Sequence, residues 1–435
     1  MAMFKKAVLI GANGSMGAKI AAIIASFGEI PVYMVARDIG KAKRGIEIAV
    51  ASVRSDAIRK NLIPATYGQL PHLLKQCDWV VEAVTENYET KQSVNRLIAK
   101  TNRKGRVIST VTSGLSITTL LDTFEKEDRS RYLGIHFFNP PYKMLLCEIV
   151  PTEYTDKNVL KELTEYLQKR LLRVVIRTKD VPAFAANRVG FQFINEAALF
   201  AEKYKNKGGI AYIDSLLGRH TGRSLAPLET LDFVGLDIHQ AIVGNIHENL
   251  DDHAKNTFIL PGFIKYLIKK GSLGIKSGEG LYALKEVNGT KKKYVFDIKT
   301  GTYIPGARYE SILIDSMRKY IRTGNYKQAF NVLMKSAHPD ADIIRYFIAR
   351  YISYAFSLVG SVVLTKEIID RAMAYGFNWL PPSALVDLLG GVKNTISLIK
   401  KYQLPVPAAL TAEKKSKLNF YTLQSELDYR SFIKA

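Results

Sequence analysis

Cysteine is nearly absent from this chain. Cys77 and Cys147 are the only two in 435 residues, far apart and outside any metal-ligand spacing. That excludes a disulfide framework, calls for no metal, and fits a reducing, cytoplasmic setting. Acidic residues are in deficit: 40 Asp and Glu face 62 Lys and Arg, a net charge of +22. Such an excess points to nucleic acid, an anionic membrane or a polyanionic small molecule when it is concentrated. Here the lysines fall in short clusters, at 203, 205 and 207, at 265, 269 and 270, at 291 to 293, and at 414, 415 and 417. No helix carries a basic stripe and no RNA-binding or zinc-finger pattern appears, so no nucleic-acid partner is expected. The charge reads as a solvated surface, with attraction of a phosphorylated ligand as the second reading. Long apolar runs are missing too. Tyr351 to Leu364 comes closest to a membrane span and is interrupted by Ser353, Ser357, Gly360 and Ser361. Near the N-terminus the run Ala7 to Ile10 breaks at Gly11, too early for a signal peptide.

What remains is an ordinary globular composition, 47% hydrophobic and 23% charged, in a chain long enough for two or three domains. Lys6 to Ile10 reads as a strand. Gly11-Ala12-Asn13-Gly14-Ser15-Met16-Gly17 follows, then a helix from Ala18 to about Phe27 and a strand from Pro31 to Ala36. In a strand–turn–helix–strand unit the glycines let backbone approach a pyrophosphate, whose charge then sits on the helix N-terminus. Gly11, Gly14, Met16 and Gly17 are therefore candidate cofactor contacts. Two details depart from the usual NAD fingerprint. The spacing is G-x-x-G-x-x-G, one residue longer in the turn. The second strand ends Val35-Ala36-Arg37-Asp38, where Ala36 offers nothing to a ribose 2′-hydroxyl. Arg37 would pair with a 2′-phosphate; Asp38 is the alternative ribose partner. NAD is the expected cofactor, with NADP left open.

Two further strands follow: Trp79 to Val84, apolar but for Glu82 and leading into Thr85-Glu86, and Arg106 to Thr110, which runs on into Val111-Thr112-Ser113-Gly114. At the carboxyl end of a strand Ser113 faces a ligand crevice, or else caps a helix over Leu115 to Phe124. His136 opens His136-Phe137-Phe138-Asn139-Pro140, and Glu148 interrupts the apolar run Leu145 to Val150. An imidazole titrates near neutral pH and exchanges protons with a hydroxyl; a carboxylate in an apolar strand needs a partner. The pair reads as a general base with its orienter.

At this point the chain resembles the L-3-hydroxyacyl-CoA dehydrogenase family, most closely the dehydrogenase part of bacterial multifunctional β-oxidation proteins. The resemblance rests on Gly14-Ser15-Met16-Gly17, Val81-Glu82-Ala83-Val84 with Glu86 and Lys91, Thr112-Ser113-Gly114-Leu115-Ser116, Gly134-Ile135-His136-Phe137-Phe138-Asn139-Pro140, Lys179 to Phe184 with Asn187-Arg188, Leu231 to Asp237, and Gly274 to Tyr282. It implies an α/β Rossmann-type nucleotide-binding domain followed by two all-α domains of the 6-phosphogluconate-dehydrogenase C-terminal kind. It implies that His136 deprotonates the 3-hydroxyl of a 3-hydroxyacyl-CoA and that Glu148 holds His136. Ser113 and Asn187 would hydrogen-bond the reacting oxygen and the thioester carbonyl, and Glu86 and Lys91 would line the cofactor and substrate region. Departures are Val111 and Leu145, where the family has an amide and a lysine. A biosynthetic NADPH-dependent ketoacyl-CoA reductase and a non-catalytic CoA-ester or nucleotide sensor are the alternative functions.

The expected domains are 1–184, nucleotide-binding; 185–297, helical; a linker at 298–308; and 309–435, a degenerate second helical copy. From Asn187 the apolar residues Phe191, Ile194, Ala198 and Ala201 recur at helical spacing. Asp214 and Asp232 are 18 residues apart around Ala226-Pro227; Asp370 and Asp387 are 17 apart around Pro381-Pro382. That self-similarity marks a repeat. A repeat packed on its twin as a partner subunit would be predicts a monomer.

Overall fold

The apolar run Ala7–Ile10 is buried along its whole length and forms β1, the centre of a sheet, in the computed structural model of the chain, which describes residues 4–101, 105–306, 309–412 and 432–435. The chain divides into two units, Met1–Phe184 and Ala185–Ala435. In the first, β1 is joined by β2 (Val32–Ala36), β3 (Leu62–Thr66), β4 (Trp79–Glu82), β5 (Val107–Val111), β6 (Tyr132–Phe137), β7 (Leu146–Val150) and β8 (Val174–Arg177). Their order is β3-β2-β1-β4-β5-β6-β7-β8. Pairing is parallel from β3 to β6, then β7 turns antiparallel to β6 and β8 runs parallel to β7. Strands covered on both faces read as continuous apolar runs, which is why β1, β4, β6 and β7 are buried throughout. β3 is an edge strand, where Pro64 leaves no central ladder bond unmade.

Helices α1 (Ser15–Phe27), α2 (Ile39–Val53) and α3 (Tyr88–Ala99) follow β1, β2 and β4. α1 starts at Ser15, three residues before the expected Ala18, so Gly17 lies inside its first turn. A Cβ on Gly17 would stand 2.5 Å from the Gly11 carbonyl oxygen. Gly17 therefore serves close packing of helix on turn. The strand order reverses between β1 and β4, and there the carboxyl ends open a crevice.

In the second unit α4 (Ala186–Lys203), α5 (Gly209–Leu216) and α6 (Pro227–Val234) precede an antiparallel sheet of β9 (Tyr282–Val287), β10 (Thr290–Asp297) and β11 (Thr302–Pro305). Asn288 and Gly289, both at positive φ, make the expected hairpin turn. The expected linker at 298–308 needs correcting, because β11 pairs with β10. Asp297 folds the chain back by accepting from the Lys299 amide and the Thr300 hydroxyl, and Gly301 takes φ 71. Residues 307–308 lie outside the described residues. Two helices, Ile312–Arg322 and Tyr326–Lys335, come next, and α7 (Pro339–Ser357), α8 (Lys366–Phe377) and α9 (Pro382–Leu388) follow them.

Contacts among these helices are reciprocal. α4 packs on α8 and α5 on α7, while α4 and α7 meet each other. Between them Arg223 bridges Trp379 in antiparallel fashion, flanked by Leu380 N–H donating to Gly222 O at 2.7 Å. This is the pattern of an isologous interface. Asp214 on α5 caps α6 through the Leu228 and Glu229 amides, at 2.8 and 2.9 Å. Asp370 on α8 caps α9 through the Ser383 amide at 3.0 Å.

Burial pushes the carboxyls of Asp214 and Asp370 each up to about 7. A carboxyl raised in the fold binds its proton more tightly there than in the unfolded chain, so its contribution to stability falls as pH climbs from about 4 to about 7. Asp370→Asn keeps an acceptor for the Ser383 amide and removes the ionisation. Relative to wild type, this variant is expected to gain on the order of 1–3 kcal/mol between pH 5 and pH 8 in denaturant titrations. An equal difference at both pH values would show that Asp370 ionises freely in the fold. Among the described residues no helix is long and apolar enough to cross a membrane.

Candidate active site

Two features share the carboxyl edge of the first unit's sheet. The first is a glycine cradle. Gly11 takes φ 89 directly after β1, and a Cβ there would stand 2.5 Å from the Ala83 carbonyl oxygen. Only glycine fits that approach. Gly14 is the N-cap of α1 without any side-chain cap, and no acid occupies the first turn. The amides of Ser15, Met16 and Gly17 are thus open helix-end donors, the arrangement that receives a pyrophosphate. The cleft beside them has a volume of about 360 Å³ and is lined by Gly11, Asn13, Gly14, Ala36, Arg37, Tyr67, Thr90 and the Ala83–Thr85 turn. A dinucleotide fits this cradle. Gly45 on α2, not singled out in the sequence, also serves it: a Cβ there would lie 2.4 Å from the Ala12 carbonyl oxygen.

The second feature is the imidazole–carboxylate pair. Antiparallel register sets His136 on β6 directly opposite Glu148 on β7. His136 Nδ1 lies 2.6 Å from Glu148 Oε2, with both residues buried. The carboxylate accepts from Nδ1–H, which fixes the tautomer and leaves Nε2 as the basic nitrogen. The rings of Phe138 and Phe184 pack against the imidazole at centroid distances of 4.4 and 5.8 Å. Next to it, Lys19 of α1 donates to Asn139 Oδ1 at 2.9 Å.

Ser113 lies two residues past β5, whose Val111 pairs with Ile135 of β6, so it stands at the same edge as His136. It is not the helix cap, because Ser116 caps the short helix Ile117–Leu120. Glu86 fixes the Ser113 loop: its Oε1 accepts from the Thr112 hydroxyl and the Ser113 amide, each at 2.6 Å. Asp180 holds the next turn through Ser116 Oγ and the amides of Ile117 and Thr118. Asn187 belongs to the second unit, buried in the first turn of α4.

Two expected cofactor residues, Lys91 and Asp38, have partners within the fold. Lys91 is wholly buried, with its ammonium 3.0 Å from Glu82 Oε1 and 2.7 Å from the Val111 carbonyl. It has no surface to offer a cofactor; it ties the ends of β4 and β5 together. Glu82 completes that knot by accepting from Thr110 Oγ1 at 2.6 Å. A paired buried charge of this kind is costly to break, since the partner left behind stays desolvated. Asp38 is the N-cap of α2: one oxygen accepts from the Lys41 amide at 2.8 Å and the other pairs with the Lys41 ammonium at 2.9 Å. Glu82, Thr112, Asp180, Tyr67 and Lys19 were given no role in the sequence. Only Glu82 carried a signal, as the lone acid of an apolar strand.

A sheet that opens its switch point on a glycine cradle is the dinucleotide-binding arrangement, and a proton-accepting pair at the same edge suits an oxidoreductase in which hydride and proton leave together. Residues 6–181 match the NAD-binding domain model of 3-hydroxyacyl-CoA dehydrogenase, and residues 184–284 match that family's C-terminal domain. The chain belongs to the 3-hydroxyacyl-CoA dehydrogenase family. A probable 3-hydroxyacyl-CoA dehydrogenase of Deinococcus radiodurans is 35% identical over 64% of this chain and 82% of its own length. One of Bacillus subtilis is 30% identical over 89% of this chain, which spans only 51% of that relative. The crystal structure of 3-hydroxybutyryl-CoA dehydrogenase from Escherichia coli superposes with a TM-score of 0.72 at 22% identity, over 94% of this chain and 98% of that one. At that identity the likeness is one of fold, and it extends through the second set of helices.

Proposed function

We propose that the chain oxidises L-3-hydroxyacyl-CoA to 3-ketoacyl-CoA with NAD+, a step of fatty-acid β-oxidation. The observation that carries this is the 2.6 Å contact of His136 Nδ1 with Glu148 at the edge that holds the glycine cradle. NAD+, when bound, supplies the hydride acceptor. The Gly11–Gly17 turn and the first amides of α1 hold its pyrophosphate. His136 Nε2 takes the proton of the substrate 3-hydroxyl. Glu148 holds the imidazole and offsets the charge it gains. Ser113, on a loop pinned by Glu86, donates to the reacting oxygen; a donor placed where charge develops is typically worth about 2.7–4 kcal/mol of barrier. Asn187 keeps the substrate-binding role that the resemblance implies.

The reciprocal packing of α4–α6 and α7–α9 supports a duplicated helical domain and, with it, a monomeric chain. Glu196 of α4 meets Arg350 of α7 at 3.2 Å, and Arg188 Nε donates to the Tyr354 hydroxyl at 3.1 Å. Single-domain relatives would make such contacts only between subunits.

The test is dinucleotide reduction with L-3-hydroxyacyl-CoA esters of short to long acyl chain, with D-enantiomers as controls. Turnover of L-esters alone is expected. No turnover of any L-ester, or equal use of D-esters, would contradict the proposal.

A further inference from the structure

The adenosine end of the dinucleotide cleft is marked by a cation instead of an acid. We propose that Arg37, with Tyr67 beside it, forms a site for a 2′-phosphorylated adenosine, so that the chain takes NADP(H) at least as well as NAD(H). This deepens the dinucleotide reading above and rests on it.

β2 ends at Ala36, which is buried and has only a methyl group where a ribose 2′-hydroxyl would need an acceptor. Arg37 follows, exposed, at the rim of the cleft that Gly11 and Gly14 also line. β2 and β3 are neighbours with Ala36 opposite Thr66, so Arg37 and Tyr67 are the next residue on each strand. Both line the same cleft. They are close enough for the Arg37 charge to act on the Tyr67 phenol, which burial and the charge of Glu82 push upward and Arg37 draws back. A planar guanidinium beside an aromatic ring suits an adenine plane and a phosphate together.

Asp38, the other partner in reach of a ribose, has both carboxylate oxygens engaged by Lys41. Its side chain caps α2 by accepting from the Lys41 amide, so turning it toward a ribose would loosen the helix start. Arg37 has no ion pair among the described residues. Many exposed cations on this lysine-rich chain are plain surface charge; Arg37 differs by its place at the rim of the nucleotide cleft. A 2′-phosphate there gains a charge-assisted bond, whereas the NAD ribose hydroxyl meets no acid.

The test needs no turnover. The full-length chain is titrated with NADPH and with NADH, following nicotinamide fluorescence, and the titrations are repeated on Arg37→Ala. The expected result is an NADPH dissociation constant no higher than that for NADH. In Arg37→Ala, NADPH should weaken by about tenfold to a hundredfold while NADH changes by less than about twofold, as for loss of one bond to a charged group. Tight NADH with weak NADPH, unchanged in Arg37→Ala, would overturn the 2′-phosphate site and leave the dehydrogenase reading intact. Binding of neither nucleotide would overturn both.

Discussion

His136→Gln is expected to lower kcat for L-3-hydroxyacyl-CoA oxidation by about 10²- to 10⁴-fold, the usual range for removing a general base. Glutamine approximates the size of imidazole and still donates to Glu148, so the strand pair should stay intact. It has no nitrogen that accepts a proton at neutral pH. Dinucleotide affinity should be unchanged, because the Gly11–Gly17 cradle lies at the ends of β1 and α1 and not on β6. Stopped-flow traces with CoA ester and dinucleotide in excess separate the chemical step from binding. Retention of more than about a third of the wild-type rate would remove His136 from the mechanism. Glu148→Gln should fall less far, since it keeps the shape and a hydrogen bond to the ring while losing the charge.

The second large effect concerns the helical repeat. The full-length chain is expected to run near its 48.7 kDa monomer mass in light scattering. Deleting residues 309–435 should make it dimerise or precipitate. Ring contacts between the two sets of helices come from Phe191, Phe193 and Phe200. Phe193 meets Phe347, Tyr351 and Trp379 at 5.1, 6.0 and 5.2 Å, and Phe200 meets Tyr346 and Phe347 at 5.4 and 4.8 Å. Each phenylalanine buries at least roughly 150 Å², so their exposure opens a patch of several hundred Å², enough to drive association. Charges would be stranded as well. Arg223 is buried with its guanidinium 3.9 Å above the Phe193 ring and 4.9 Å from Trp379, and Glu196 would lose Arg350. In the intact chain the tether keeps the two copies at an effective concentration of about millimolar, against which a second molecule competes poorly. A soluble, monomeric, fully active truncation would show that residues 309–435 are not an internal partner.

The nucleotide unit was legible wherever its signals are local. Gly11 and Gly14 sit where backbone must come close, and the buried strands announce themselves as apolar runs. The His136–Glu148 pair was legible because each polar residue interrupts an otherwise apolar strand, and twelve residues are enough to turn one strand back on the other. What escaped depends on neighbours distant in sequence. Lys91 reads, by the resemblance, as lining the cofactor region until β4 and β5 close over it. Asp38 reads as a ribose partner by its place after β2, and its capping of α2 shows only in the folded chain. Pro64, tolerable only because the strand is at the edge, hides β3, and β11 reads as linker because four residues carry too little pattern. Duplication was legible from its aspartates, yet only Asp214 and Asp370 act alike. Asp232 accepts from the Leu281 amide, whereas Asp387 lies 3.9 Å from Lys327.

The hydride proposed to leave C3 of a hydroxyacyl-CoA for a nicotinamide can be followed with an isotope label. The direct measurement uses an L-3-hydroxyacyl-CoA labelled with deuterium at C3, incubated with oxidised dinucleotide and the full-length chain, and follows the label by mass spectrometry of the nucleotide. Deuterium is expected in the reduced nicotinamide with wild type and almost none with His136→Gln. Tight binding of the CoA ester with no label transferred, in either NAD+ or NADP+, would contradict it and make the chain a binder of CoA esters that performs no oxidation.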